Sequence, residues 1–229
     1  TENWTFPTGG DMYGEPAIAD GVVYFGGKTV FKVWALNAET GTEIWSQPVD
    51  TWVWSGVTVS QGKLLFGTTD GSKPTKSERI GTMYCLSAAN GTTLWSIPNV
   101  VFVRASPSVH GDKVIFTELE GVVCVNIQDG SQNWYFEYFG KKGGYAKPAI
   151  SGNGRVYVGD DDSIVYCLDE KTGSLMWHYN ITEETGEADD IDAGPSISDG
   201  WLFVGGYDRP AFYAFGPESA PPVVRTPWP

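Results

Sequence analysis

The residues that could do chemistry are few, and most are acidic. Asp160, Asp161 and Asp162 form one run of carboxylates, and Glu183, Glu184, Glu187, Asp189, Asp190 and Asp192 crowd a second stretch. Clustered carboxylates are the ligands that calcium takes. The plainer alternatives are a solvated hairpin turn at 160–162 and an acidic loop at 183–192. Only two histidines occur, His110 and His178. Neither stands in a triad, and no nucleophile elbow, phosphate loop or zinc-protease pattern accompanies them, so no catalytic residue is assigned. Cys85, Cys124 and Cys167 lack the Cys-x-x-Cys spacing of a zinc or thioredoxin-like site. Asn3, Asn90 and Asn180 each begin an Asn-x-Thr sequon, the acceptor for glycosylation outside the cell.

Composition narrows the classes. The 229 residues carry 15 Lys and Arg against 28 Asp and Glu, a net charge of −13. That balance argues against nucleic acid as a partner. Ten Trp and an aromatic share of 14% exclude a disordered chain. Twenty-nine Gly and fourteen Pro exclude a helical bundle. No apolar run is long enough to span a membrane as a helix. The chain begins at Thr1 with no signal-like stretch after it, so we expect a removed leader or a chain cut from a longer one.

The elements that position these residues repeat. Segments ending in Trp recur as LNAETGTEIW (to Trp45), LSAANGTTLW (to Trp95), VNIQDGSQNW (to Trp134) and LDEKTGSLMW (to Trp177), spaced by 50, 39 and 43 residues. Upstream of each lies a short β-rich run after a turn pair, as in Asp20-Gly21 before Val22–Phe25 or Asp199-Gly200 before Leu202–Val204. A further strand precedes each Trp segment, beginning at Val33, Met83, Val122 and Val165, with a fifth at Phe212. Four antiparallel strands per repeat of about 40–45 residues is the pattern of a β-propeller blade. The predicted fold is all-β: a five-bladed propeller over residues 1–216, with a Pro-rich extended tail at 217–229. The N-terminal strand around Trp4 is expected to complete the fifth blade and close the ring. Val223–Val224 or Trp228 is the alternative closing element, and five units of a larger ring the alternative architecture.

The segment A-L-[ND]-x-x-T-G-x-x-x-W resembles the tryptophan-docking repeat of the pyrroloquinoline-quinone (PQQ) enzymes and PQQ-like propellers, over roughly residues 2–216. The resemblance implies that Trp4, Trp45, Trp95, Trp134 and Trp177 clamp one blade to the next against turns at Gly41, Gly91, Gly130 and Gly173. It also implies a choice between two branches. The enzymes of this family have eight blades, a vicinal Cys–Cys disulfide and a calcium site. This sequence has no adjacent cysteines, so PQQ is not expected as a cofactor. The other branch is non-catalytic and includes outer-membrane assembly lipoproteins and cell-surface propellers.

Each repeat places one residue in the loop before its innermost strand, three positions ahead of the Pro-Ala or its equivalent, where a propeller has its channel mouth. Those residues are Tyr13, Trp54, Arg104, Tyr145 and Asp192, with Trp52 and Phe102 two positions upstream in the second and third repeats. Three aromatics, one Arg and one Asp suit a sugar or a peptide by stacking and charge pairing. The alternative is that they plug the channel. The cysteines share one place in the third strand, which Ala35 and Ala214 fill in the first and fifth repeats, so they read as small buried core residues. The sequence therefore points to an extracellular or cell-surface glycoprotein, non-catalytic, with no cofactor and calcium as the one metal option. Its partners would be protein subunits or surface glycans, in an oligomer or filament. The enzymatic alternatives are a quinone-dependent dehydrogenase or a glycosidase at the channel mouth.

Overall fold

The computed structural model describes residues 3–140, 143–209 and 211–216, together with the backbone of 223–225. It is all-β, with five antiparallel sheets that are the blades of a β-propeller fold. The first sheet comprises β1 (Ala17–Ala19), β2 (Val22–Gly27), β3 (Lys32–Asn37) and β4 (Glu43–Pro48). The second adds the two-residue β5 (Trp52–Val53) to β6 (Thr58–Ser60), β7 (Lys63–Thr69), β8 (Ile80–Ser87) and β9 (Thr93–Val101). The third is β10 (Ser108–His110), β11 (Lys113–Thr117), β12 (Gly121–Asn126) and β13 (Gln132–Glu137). The fourth is β14 (Ala149–Ser151), β15 (Arg155–Gly159), β16 (Ile164–Asp169) and β17 (Leu175–Asn180). The fifth is β18 (Ser196–Ser198), β19 (Trp201–Gly205), β20 (Phe212–Phe215) and β21 (Val223–Arg225). A short α-helix, α1 (Ile181–Thr185), follows β17.

The fifth sheet corrects the expected closure. Its fourth strand is β21, running from within the Pro-rich tail and paired with β20 through Phe212↔Arg225 and Ala214↔Val223. Residues 3–11 form no strand. A strand eight residues beyond β20 closes a far shorter loop than the chain's other end would, and Val223-Val224 is a β-branched pair suited to the role. Residues 217–222 and 226–229, including Trp228, lie outside the described residues.

The hairpins follow from local chemistry. Asp20, Gln61 and Asp199 adopt φ of 49°, 52° and 50°, each followed by a glycine with positive φ, as two-residue hairpins between right-twisted strands require. The third and fourth strands share another feature. Ala35 pairs with Trp45, Cys85 with Trp95, and Cys167 with Trp177, and the register shifts directly after each small residue. A bulky indole across the strand leaves room for only a small side chain, which is why Ala or Cys stands there. All three cysteines are buried and form no disulfide among the described residues, and burial pushes the Cys85 thiol up to about 12, which makes it inert at neutral pH.

The chain divides into two compact units, residues 1–114 with 125–131, and residues 115–124 with 132–229. In the first, Tyr24, Val33, Ala35, Trp45, Leu64, Phe66 and Leu86 form a continuous apolar core. In the second, one core gathers Val122, Trp134, Val158, Tyr166 and Leu168, and another gathers Val165, Ile181, Ile191, Val204 and Tyr213. Four tryptophans lie on the glycine turn of the following repeat. Their indole N–H groups donate to carbonyls there: Trp4 to Ala38 at 3.1 Å, Trp45 to Ala88 at 3.0 Å, Trp95 to Ile127 at 3.0 Å and Trp134 to Glu170 at 2.9 Å. Trp177 instead packs near Tyr157 and Phe215.

Candidate functional site

In the first unit the segments ahead of the innermost strands are fixed by the backbone of their neighbours. In the first unit, a Cβ on Gly14 would fall 2.1 Å from the Ser55 carbonyl oxygen, so only glycine permits that approach. Val57 N–H donates to the Glu15 carbonyl at 3.1 Å. The Ser55 hydroxyl accepts from Gly67 N–H at 2.9 Å and tethers the segment to β7. These contacts set Tyr13 beside Trp54, with ring centres 5.6 Å apart and planes at 90°. Thr58 donates to the Pro107 carbonyl at 2.6 Å and aligns the next repeat in the same way.

The result is a cluster of aromatic rings faced by cations. The Arg104 guanidinium lies 4.0 Å from the Trp54 ring centre, 5.5 Å from Phe102 and 5.7 Å from Tyr13. The Lys28 ammonium lies 4.9 Å from Trp52, 5.4 Å from Trp54 and 5.5 Å from Tyr13. Arg79 sits over Trp54 and Phe102, and Lys76 over Phe102. Each such contact contributes about 0.5–2 kcal/mol, more as the pair is withdrawn from water. Tyr13 is 59% exposed, so the cluster reaches the surface. Phe102 is buried and held at φ 60°, a conformation bulky residues seldom adopt. Its N–H donates to the Arg79 carbonyl at 2.8 Å, tying that residue to the cluster.

The structure therefore brings together Tyr13, Trp54 and Arg104, with Trp52 and Phe102. Tyr145 and Asp192 belong to the second unit, where both are half-buried. Lys28 and Arg79 were not singled out from the sequence, although topology carries the signal. In an antiparallel sheet the turn joining the second and third strands returns to the end where the first strand begins. Lys28 lies in that turn of the first sheet, and Arg79 in that of the second.

One carboxylate of each acidic run, Asp160 and Asp189, has a structural role. Asp160 is fully buried, its carboxylate accepting from Asp162 N–H at 3.0 Å, Ile164 N–H at 2.9 Å and the Tyr166 hydroxyl at 2.7 Å. Burial pushes this carboxyl up to about 6, outweighing the three hydrogen bonds that favour its charged form. Asp189, also fully buried, accepts from Asp208 and Arg209 N–H, each at 3.1 Å, and from the Tyr213 hydroxyl at 2.8 Å. Each Asp–Tyr pair holds the turn that leads into its tyrosine's strand. Asp161 is buried, while Asp162, Asp190 and Asp192 are half-buried. Among the described residues no three His, Cys, Asp or Glu side chains are placed to hold a metal ion.

The remaining candidates are dispersed. Asn3 and Asn90 are exposed. Asn180 is half-buried and caps α1, its side-chain oxygen accepting from Glu183 N–H at 3.1 Å. His110 and His178 are exposed, and His178 stands edge-on to Phe139 at 5.0 Å. Among the described residues no helix is long and apolar enough to cross a membrane.

Comparison with known proteins gives the lineage. A search of curated proteins finds no match. Among solved structures, BamB from Moraxella catarrhalis is similar at 19% identity and a TM-score of 0.70, covering 91% of this chain and 59% of its own. A europium-containing methanol dehydrogenase gives 15% identity and a TM-score of 0.77, covering 96% of this chain and 52% of its own. Quinohemoprotein alcohol dehydrogenase from Comamonas testosteroni gives 16% and 0.69, covering 90% of this chain and 41% of its own. The chain thus spans 59% or less of the length of each of these structures, and at such identities the likeness shows the fold. The family described as outer membrane protein assembly factor BamB matches residues 1–135 and 31–215, and the chain belongs to that family of PQQ-like propellers.

Proposed function

We propose that this chain is a non-catalytic binding propeller of the cell envelope or cell surface, which holds protein partners through the cation–aromatic cluster of its first unit. The observation that carries the reading is the Tyr13–Trp54–Arg104 contact. Successive repeats contribute one residue each to a surface-reaching group of aromatics and Arg, the side-chain types enriched where proteins bind each other. The family description, an outer membrane protein assembly factor, supports a scaffold of this kind.

The enzymatic alternative asks for residues the chain does not offer. The quinone enzymes would bring a vicinal disulfide, while here the three cysteines are buried in three separate sheets, two of them directly across from a tryptophan. The buried carboxylates at 160 and 189 are saturated by backbone N–H groups and tyrosine hydroxyls. The test is a pair of measurements on protein purified from its native source. Alcohol and sugar oxidation with added quinone and calcium should stay at background, and the protein should run as a complex larger than its own mass. Turnover well above background, or a free monomer at native concentration, would reverse the reading.

A further inference from the structure

We propose that the cation–aromatic cluster is a carboxylate site, and that it takes an acidic peptide segment of a partner protein. This rests on the binding reading above and names the chemistry of the same surface.

The cluster runs against the charge of the whole chain. In a protein of net charge −13, Lys28, Lys76, Arg79 and Arg104 converge on four rings. Lys28 and Arg79, both set against the Trp54 ring, repel one another, and a carboxylate placed beside them relieves that repulsion. Among the described residues neither Lys28 nor Arg79 forms an ion pair with a carboxylate. Lys28 is held over ring faces, and the Arg79 side chain donates to the Lys73 carbonyl at 3.0 Å. The nearby Asp70 is engaged by Ser72 and Lys73.

The rings act as a platform. A Cβ on Gly71 would fall 2.3 Å from the Trp52 ring and 2.8 Å from the Trp54 ring, so the backbone there seats both indoles. The indole N–H of Trp54 is buried and has no hydrogen-bond partner among the described residues. A donor buried without a partner is costly, and an acceptor oxygen entering the cluster would satisfy it. The cations already cover the Trp54 face, where a sugar ring would stack. That favours carboxylates reached by N–H donors over a saccharide laid on the indole.

The experiment is fluorescence anisotropy with labelled hexaglutamate, hexaglutamine and oligogalacturonate, using the whole protein at low salt. Hexaglutamate should bind, hexaglutamine should not, and binding should weaken steeply as salt rises. Lys28→Gln and Arg104→Gln should each weaken hexaglutamate binding roughly tenfold or more. Lys171→Gln, on an exposed turn of the second unit, should leave it unchanged. No binding of hexaglutamate, binding untouched by Lys28→Gln in a folded protein, or preference for oligogalacturonate would overturn the assignment. A protein that fails here but still runs as a non-catalytic complex loses the carboxylate site and keeps the binding function.

Discussion

The Arg104 guanidinium stacks 4.0 Å from the centre of the Trp54 indole, and the two residues hold equivalent positions in successive repeats. A propeller repeats its scaffold but not its inward-leading residues, so equivalent positions are where the repeats diverge in chemistry. Replacing Arg104 should therefore cost recognition more than folding. Arg104→Gln should shift the melting temperature by only a few degrees while removing partner binding. A calorimetric scan beside a binding measurement separates the two effects.

Trp45 and Gly91 form a test of blade docking. The indole is buried on the glycine turn, and a Cβ at Gly91 would lie 2.6 Å from it. Trp45→Ala should cost about 3–5 kcal/mol. Gly91→Ala should cost about 2 kcal/mol or more, since the turn needs φ +74° and the added methyl meets the ring. In the Trp45→Ala background the steric part of that cost vanishes. Urea unfolding of the two single variants and the double variant should thus show clear non-additivity. Strict additivity would mean that the indole does not rest on this turn.

Asp160 predicts a pH dependence. Its carboxyl is raised to about 6 by burial, above the ordinary value near 4 expected in the unfolded chain. The folded state therefore binds the proton more tightly. The stabilisation this gives is fully present below pH 4 and is lost as pH rises through 6, on the order of 2–3 kcal/mol. Asp160→Asn keeps an acceptor for the two backbone N–H groups and removes the titration. Relative to that variant, the wild type should lose stability between pH 4 and 7. A difference that is flat with pH would contradict the assignment.

The cysteines should resist thiol reagents until the protein unfolds, because all three are fully buried. Cys85→Ala should cost about 1 kcal/mol, since the same slot holds Ala35 opposite Trp45. Alkylation followed by mass spectrometry checks the first point and urea unfolding the second.

Much of the fold was legible in the sequence because the repeat is written in local chemistry. Turn pairs such as Asp20-Gly21 and β-branched runs such as Val22–Phe25 mark strands without reference to distant partners. The closing strand was not legible, because Trp4 and Val223–Val224 both offered strand character and only long-range pairing chooses between them. The site was half legible. Tyr13, Trp54 and Arg104 follow from repeat position. Lys28 and Arg79 enter through turns whose length and sequence differ between repeats. The hydrogen bonds of Asp160 and Asp189 were not legible, because composition does not show that the Tyr166 and Tyr213 hydroxyls donate to them.

The central claim is that the chain works by binding through this cluster. Site-specific photo-crosslinking tests it most directly, with a benzophenone amino acid in place of the exposed Tyr13 and, as a control, in place of the exposed Leu94. In the native cell, position 13 should give a discrete protein adduct that disappears when Arg104→Gln is added, and position 94 should not give that adduct. No adduct at position 13, or one that survives loss of Arg104, would contradict it.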